Sequence, residues 1–201
     1  MQNLLPTKSN LLKIQQTLAL AQQGFFLLDQ KRKALIQENN LAQEIAISLR
    51  KQLEESQAKA NKAFIHATIT MNRNQIESIA KTIPVENTLQ VSCKKIMGVE
   101  VSTIDYKSKQ NLHYSLNNTT IALDEACSQL NELKNLLIKT AVVENTAFLI
   151  EEAIQKTQKR ANALEHILIP RYKANLRFIQ DVLEERERDG FVRLKTIKAQ
   201  T

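Results

Sequence analysis

The residues able to carry out acid–base or nucleophilic chemistry are scattered along this 201-residue chain. The three histidines are far apart in the sequence, and none has a partner at metal-ligand spacing. Glu151 and Glu152, like Glu184 and Glu185, are adjacent, and adjacent side chains on a helix point in different directions. Neither pair therefore forms an acid–base couple. With no glycine-rich phosphate loop either, the sequence predicts no catalytic residue and no enzyme activity of its own.

The two cysteines, Cys93 and Cys127, are isolated and belong to no C-x-x-C motif. We predict that both are reduced thiols, that the chain binds no metal, and that it needs no cofactor. The N-terminal residues lack the pattern of a secretory signal, and no stretch approaches about eighteen uninterrupted apolar residues. We therefore expect a cytoplasmic protein that does not insert into a membrane.

The chain is basic, with 28 Lys and Arg against 21 Asp and Glu, which gives a net charge of +7. This charge favours an acidic partner, which could be nucleic acid, a lipid surface or an acidic protein. The basic cluster at Lys31, Arg32 and Lys33 is too short for a nucleic-acid-binding tail. No aromatic residues are interleaved with it for base stacking, so we do not expect nucleic-acid binding.

The elements that must position these charges are long helices, because the chain has only three glycines and three prolines. From Leu4 to about Lys81, apolar residues alternate at steps of three and four, as in a coiled coil. We predict that the register slips after Ala42 and continues through Ile45. The predicted seam up to that point is Leu11, Ile14, Leu18, Ala21, Phe25, Leu28, Arg32, Leu35, Asn39 and Ala42.

A period of two replaces the helical period after Ile83-Pro84, where the proline ends the first helix. Apolar residues alternate at Leu89, Val91 and Cys93 and again from Met97 to Val101, with Lys94-Lys95 between the runs. This pattern predicts a β-hairpin, which a polar loop follows.

A second long helix is predicted from about Thr119 to beyond Phe191, after N-cap candidates among residues 117–120. Its predicted seam is Leu123, Leu130, Leu133, Leu137, Ala141, Phe148, Ile154, Ala161, Leu164, Leu168, Leu176, Ile179 and Leu183. We therefore predict an all-α-dominated fold, a long antiparallel two-helix coiled coil with a small β-hairpin and loop at the hinge end. The domains would be an N-terminal shaft helix (1–82), a hairpin-and-loop head (83–117) and a C-terminal shaft helix (118–201).

Antiparallel alignment of the two helices places Lys31 to Lys33 level with residues around 165 to 167. We call Lys31, Arg32, Arg160, Arg171 and Lys173 the basic collar and predict that it is a contact surface. Pro170 lies in the same zone and is predicted to kink the helix, because it lacks an N–H and crowds the carbonyl of His166. Arg32 and Asn39, polar residues on the seam, are predicted to set the helix register.

Three segments carry a resemblance to a known family. They are 6-PTKSNLLKIQQTLALAQQGFFLLDQKRKAL-35, 96-IMGVEV-101 and 159-KRANALEHILIP-170, the last followed by Leu183-Glu184-Glu185 and 193-RLKTIK-198. Together they resemble the D subunit of the vacuolar/archaeal-type rotary ATPases, in its bacterial form, over essentially the whole chain. Asp29 and Lys33 depart from the family pattern, because acidic and basic residues have exchanged places there, and Ala161 replaces a usual valine.

The resemblance implies the central rotor shaft of a rotary ATPase, a hetero-oligomeric complex on the inner face of the cell membrane. It implies that the shaft enters a hexamer of catalytic A and B subunits, where the basic collar would make contact. It also implies that Ile96, Met97 and Val99 meet the F subunit and the funnel-shaped subunit on the membrane ring. Nothing in the sequence distinguishes protons from sodium as the coupling ion, or ATP synthesis from hydrolysis.

A second interpretation takes the charge and the heptads alone. A basic coiled-coil scaffold that binds an anionic membrane surface would have the same composition. Co-purification separates the two, because a shaft should bring down other ATPase subunits and a scaffold should sediment with anionic vesicles.

Overall fold

The protein is described by a computed structural model covering residues 5–83, 89–106, 114 and 119–200. The elements in chain order are α1 (Lys8–Thr70), α2 (Arg73–Thr82), β1 (Gln90–Ile96), β2 (Val99–Asp105), α3 (Ile121–Ala163), a π-helical turn (Leu164–Leu168) and α4 (Ile169–Gln200). The predicted fold class is confirmed: long helices of coiled-coil type dominate, and a small antiparallel hairpin is added. Of the predicted head, residues 84–88, 107–113 and 115–117 lie outside the described residues.

The described helices fall into two compact units. Unit 1 consists of residues 1–34 and 154–201, and unit 2 of residues 35–153. In unit 1 the start of α1 lies antiparallel to the end of α3 and to α4. Lys8 is paired with Glu187 at 3.1 Å, and further along α1, Arg32 contacts Gln158.

Unit 2 also pairs its two long helices in antiparallel order. Arg50 of α1 is bonded to Glu144 of α3 at 2.5 Å. Further along α1, the buried Ala67 packs against Ala122 and Ala126 near the start of α3. Alanines on both helices leave short side chains between the backbones, which therefore approach closely at this end of the unit.

The seam of α1 is confirmed through Ala42, since each predicted position is buried or half-buried. The predicted slip after Ala42 is wrong. Ile45 is 51 % exposed, and the half-buried residue at this level is Ala46. Steps of four and three then continue through Leu49, Leu53 and on to Ala67 without interruption, so the heptad register is unbroken.

In α3 the predicted seam is partly wrong. Leu130, Leu137, Ala141 and Phe148 are exposed. The buried or half-buried positions at alternating three- and four-residue steps lie one residue away from these and include smaller or polar side chains. They are Ala126, Gln129, Leu133, Leu136, Thr140, Val143, Ala147 and Ile150. Thr140 can be buried because its hydroxyl donates to the carbonyl of Leu136 at 2.8 Å.

The first helix is not continuous to Lys81. It ends at Thr70, and Asn72 adopts an extended conformation with φ −67° and ψ 136° before α2 begins. The Asn72 side chain accepts a hydrogen bond from the backbone N–H of Asn74, so the asparagine caps a new helix. The predicted end at Ile83 is confirmed, because Ile83 is extended, as a residue before proline prefers.

The hairpin is confirmed, and its turn is sharper than the sequence pattern indicated. β1 and β2 pair antiparallel with Ile96 opposite Val99, so Met97 and Gly98 form a two-residue loop. Both have positive φ, 49° and 81°, which is the geometry of a type I′ turn. Lys94 and Lys95 therefore lie within β1 rather than between the two runs.

Candidate interaction surfaces and a cross-helix polar network

A network of polar side chains joins the two helices of unit 1. Arg32 donates through Nη1 to Oε1 of Gln158, and through Nη2 to Oδ1 of Asp29 at 2.7 Å. Gln158 in turn donates through Nε2 to Oδ1 of Asn162 at 2.5 Å. Asp29 also binds Lys33 at 2.9 Å. The network therefore spans one helical turn on each helix and crosses the seam once.

The electrostatics of the network favour an ionised Asp29. The hydrogen bond from Lys33 is the largest cause that lowers the pKa of Asp29 below its usual 3.8, and the nearby charges of Lys33 and Arg32 act in the same direction. Partial burial of Asp29 opposes these effects without reversing them. The exchanged acidic and basic residues at positions 29 and 33 thus still form an ion pair on one helical face.

Arg32 differs from the other members of the basic collar. Its side chain is only 30 % exposed, and its Nε is buried with no hydrogen-bond partner among the described residues. Lys31, Arg160, Arg171 and Lys173 are exposed to solvent. The guanidinium of Arg32 is therefore engaged inside unit 1, and the other four cations are available on its surface.

The alignment that placed Arg32 level with residues 165 to 167 is displaced. Arg32 meets Gln158, about two helical turns from the expected level. Gly24 lies beside Leu164, so the π-helical turn is level with a part of α1 that precedes the collar residues. The sequence analysis identified Arg32 but missed Gln158. The four-residue spacing of Gln158 and Asn162, which places both on one helical face, could have indicated a polar pair there.

Pro170 follows directly after the π-helical turn. Ile169 donates its N–H to the carbonyl of Leu164, five residues back, and α4 continues beyond the proline. A proline supplies no N–H, and a wider turn just before it relieves the crowding that a regular helix would impose. Five residues of altered helix therefore lie where the sequence predicted a kink.

Unit 2 has an open groove of about 410 Å³ between α1 and α3. Two apolar side chains at its edge are largely exposed, Ile47 at 58 % and Phe148 at 65 %. The ion pair of Arg50 with Glu144 joins the two walls, whereas Glu151 has no such cation beside it in the described ion pairs. The lining residues are Gln43, Ala46, Ile47, Arg50, Glu144, Ala147, Phe148 and Glu151.

The hairpin presents a second apolar surface. Met97 is 53 % exposed at the turn, and Ile96 and Val99 are half-buried beside it. Every residue of β1 before Ile96 is exposed, whereas Val101 of β2 is only 1 % exposed. Val101 on β2 is thus covered, whereas Met97 at the turn and the residues of β1 before Ile96 are open to solvent.

A half-buried phenol, that of Tyr114, lies against the start of α3. Tyr114 donates its hydroxyl to Oδ1 of Asp124 at 2.6 Å, and Cys127 lies close by on the same helix. Burial is the main cause that raises the pKa of Tyr114, and the neighbouring Asp124 adds to it. Tyr114 therefore remains a neutral hydrogen-bond donor.

Two absences hold for the part of the chain that the structure describes. No group of three or more His, Cys, Asp or Glu side chains there is arranged to hold a metal ion. None of the described helices combines the length and apolar character needed to cross a membrane.

Comparison with known proteins gives a consistent result. A family model for the D subunit of ATP synthase matches residues 10–199. The D subunit of the A-type ATP synthase of Methanobrevibacter smithii is 35 % identical over 198 residues, which cover 96 % of this chain and 86 % of that protein. The D subunit of the V-type ATP synthase of Thermotoga neapolitana is 34 % identical over 194 residues, with 96 % of each chain covered. The corresponding A-type protein of Pyrococcus abyssi is 33 % identical over 198 residues, with 96 % of this chain and 92 % of that protein covered. This chain, with its paired long helices and its hairpin, belongs to the family of ATP synthase D subunits.

Proposed function

We propose that the chain is the central-stalk rotor subunit of a vacuolar/archaeal-type rotary ATPase. It would carry torque between ATP hydrolysis or synthesis in the A/B hexamer and ion movement by the membrane ring. It would be a non-catalytic part of that complex, peripheral on the inner face of the cell membrane. The main support is the antiparallel pairing of N-terminal and C-terminal helices within each unit, with a polar cross-link in each.

Pairing matters for torque because an isolated long helix is only marginally stable in water. In each unit a buried seam covers the apolar stripe of both helices, with Ile179 buried in unit 1 and Leu35 and Ile150 buried in unit 2. The links of Arg32 with Gln158 and of Arg50 with Glu144 oppose sliding of one helix along the other. A pair that is held in register can transmit rotation as one body.

In this proposal the exposed members of the basic collar, Lys31, Arg160, Arg171 and Lys173, meet acidic groups of the A/B hexamer. Exposed charges of one sign guide and orient a complementary surface more than they add affinity. Arg32 acts through position rather than contact, because its guanidinium already binds Asp29 and Gln158. Its role is to hold the two helices so that the exposed cations keep fixed positions.

The test neutralises the four exposed cations together as Lys31→Gln, Arg160→Gln, Arg171→Gln and Lys173→Gln. We expect lower coupled ATP turnover in the reconstituted complex, with an unchanged helical CD signal and melting temperature for the chain. A matched control removes four exposed lysines of unit 2 in the same way, Lys51, Lys59, Lys62 and Lys139. Equal turnover in both variants would show that the collar makes no productive contact.

The two apolar surfaces of unit 2 are proposed sites for the other subunits. The F subunit would cover the groove at Ile47 and Phe148, and the funnel-shaped subunit would meet the hairpin turn at Ile96, Met97 and Val99. Exposed aromatic and aliphatic side chains next to a groove are the usual anchors of protein interfaces. The chain's place in a multisubunit ATP synthase supplies partners for them.

Co-purification tests these assignments and the membrane alternative at once. Phe148→Ser with Ile47→Ser should abolish capture of a small subunit, whereas Ile69→Ser, at a position 78 % exposed on the same α1, should leave capture intact. The parent chain should bring down A and B subunits. Sedimentation with anionic vesicles as a homodimer, without those subunits, would instead support the scaffold function.

A further inference from the structure

In unit 1 a glycine on one helix lies level with an irregular turn on the other. The glycine is Gly24, within the unbroken α-helix α1, and the irregular turn is the π-helical turn Leu164–Leu168, which Pro170 follows. A Cβ atom added at Gly24 would lie 4.0 Å from Cδ1 of Leu164, so the two features face each other directly. Their coincidence on both helices is the observation that carries the inference.

The π-helical turn inserts one residue into the seam. Before and through it, the buried or half-buried positions Thr157, Ala161, Leu164 and Leu168 keep steps of four and three. After it, the half-buried residue is Tyr172 and not the exposed Arg171, so the pattern is displaced by one residue. Without the wider turn, everything beyond it would be rotated by about 100° and Ile179 would leave the seam.

The hydrogen bonding at this turn is weaker than in the rest of the helix. Ile169 bonds to Leu164 over five residues, and Pro170 has no N–H with which to bond any carbonyl of the preceding turn. Helices bend at such places, where the regular ladder of hydrogen bonds is interrupted. The segment from Leu164 to Pro170 should therefore resist bending less than a regular α-helical segment of the same length.

Gly24 has the same effect on α1 for a different reason. A glycine in the interior of a helix favours the helical conformation less than alanine does. Crowding does not require it, because a Cβ there would make only an ordinary contact with Leu164 at 4.0 Å. What the glycine contributes is a backbone that yields more easily.

From these observations we propose that Gly24 and Leu164–Pro170 form a paired bending joint in unit 1. A helix packed on a stiff partner cannot bend alone, so a joint requires that both helices yield at one level. Polar links bracket the joint along α1: Lys8 with Glu187 on one side, and Arg32 with Gln158 on the other. The helices can therefore bend at the joint while their register is held on both sides. The use of the joint in rotation rests on the proposed rotor function, but its existence does not.

Amide hydrogen exchange on the full chain tests the joint itself. In the parent chain, amides of residues 21–28 and 165–174 should exchange faster than those around Ile14 and Ile179, which lie on the buried seam of the same unit. Gly24→Ala should slow exchange about two- to fivefold in residues 21–28, the factor that corresponds to the helix preference of alanine over glycine. It should also slow amide exchange in residues 165–174 on the opposite helix, because the two sides of the joint bend together.

Gly190→Ala is the matched control, because Gly190 is also in a helix and no atom lies within 4 Å of a Cβ added there. It should slow exchange only around residue 190. The proposal would be overturned if Gly24→Ala slowed amide exchange only within α1. It would also be overturned if residues 21–28 and 165–174 of the parent chain exchanged no faster than the residues around Ile14 and Ile179. Pro170→Ala should likewise slow both segments, and if it fails to fold, Gly24→Ala alone still decides.

The same Gly24→Ala variant, placed in the reconstituted ATPase, tests the use of the joint. Slower exchange together with lower coupled turnover supports a joint that works during rotation. Slower exchange with parental turnover overturns that use. The charge variants of the basic collar and the co-purification experiments test the rotor function separately, so the two ideas can fail independently.

Discussion

Replacing Gln158 with leucine should destabilise the protein more than replacing Arg32, its partner across the seam. Gln158→Leu removes the acceptor of a charge-assisted hydrogen bond and leaves Nη1 of Arg32 beside an apolar group. Hydrogen bonds to charged groups contribute about 1.5–3 kcal/mol. Because the Arg32 side chain is 30 % exposed, water replaces part of the lost bond, and we expect a loss of about 1–2 kcal/mol in the free energy of unfolding.

Arg32→Met should cost less, within about 1 kcal/mol, because it also removes a buried Nε that has no hydrogen-bond partner in the described structure. The double variant with Gln158→Leu should then be close to the parent, since no charge is left without its acceptor. Urea unfolding followed by CD, with the slope compared across variants, measures all four corners of this cycle.

Asn162→Ala is the control for the cycle, because Gln158 also bonds to Asn162 on the exposed face. It should cost no more than about 0.5 kcal/mol. The reasoning is refuted if the double variant loses the sum of the two single losses. That result would mean that the two side chains stabilise unit 1 separately and that the bond between them contributes nothing.

Three further predictions concern the seam, one carboxyl group and the hairpin. Leu35→Ala, at a position with no solvent exposure, should lower the free energy of unfolding by about 2–5 kcal/mol. Leu41→Ala, at a position 54 % exposed on the same helix, should change it by less than about 0.5 kcal/mol. Urea titrations of the two variants measure both values. Asp29→Asn should lower the melting temperature at pH 7. The difference in melting temperature between the variant and the parent should shrink as pH falls below about 4. The pKa of Asp29 is lowered in the folded state, so the carboxyl group stabilises the fold only while it is ionised. A difference that does not change with pH would contradict this. Met97→Asn should slow amide exchange across β1 and β2, because asparagine tolerates the positive φ of 49° better than methionine, and faster exchange would contradict the I′ assignment.

The sequence was sufficient for the seam of α1, although not for the end of that helix at Thr70, because the seam repeats over many turns and an error at one position leaves the others correct. The one wrong position, Ile45, was chosen for its size, although Ala46 completes the heptad. The same preference misplaced the seam of α3, where Leu130 and Phe148 were chosen and the neighbouring Gln129 and Ala147 are half-buried instead. In a two-helix pair, the position of a residue in the three- and four-residue spacing decides its burial more than its hydrophobic size does. A short side chain at a seam position can be buried because it allows the two helices to approach more closely.

The surroundings of Pro170 show a different limit. A π-helical turn lies directly before the proline, but a missing N–H is compatible with a kink, a break or a wider turn. Which of these three geometries forms depends on the opposite helix, where Gly24 faces Leu164. It also depends on keeping both Ala161 and Ile179 buried. Those conditions become visible only once the two helices are aligned. The predicted alignment was also displaced by about two turns at Arg32.

Polar residues on the seam favour one alignment of the two helices over its neighbours. Arg32, Asn39, Thr140 and Thr157 occupy positions where leucine would give more hydrophobic stabilisation, and Oδ1 of Asn39 is buried without a partner among the described residues. Two helices that met along an uninterrupted leucine seam could shift by one heptad at little cost in free energy, because each register would bury similar side chains. A shifted register would instead separate Arg32 from Gln158 and leave the guanidinium without its acceptor on the opposite helix. The seam therefore gives up some stability to make one alignment better than its neighbours. The proposed rotor function would require that property more than it would require a higher melting temperature.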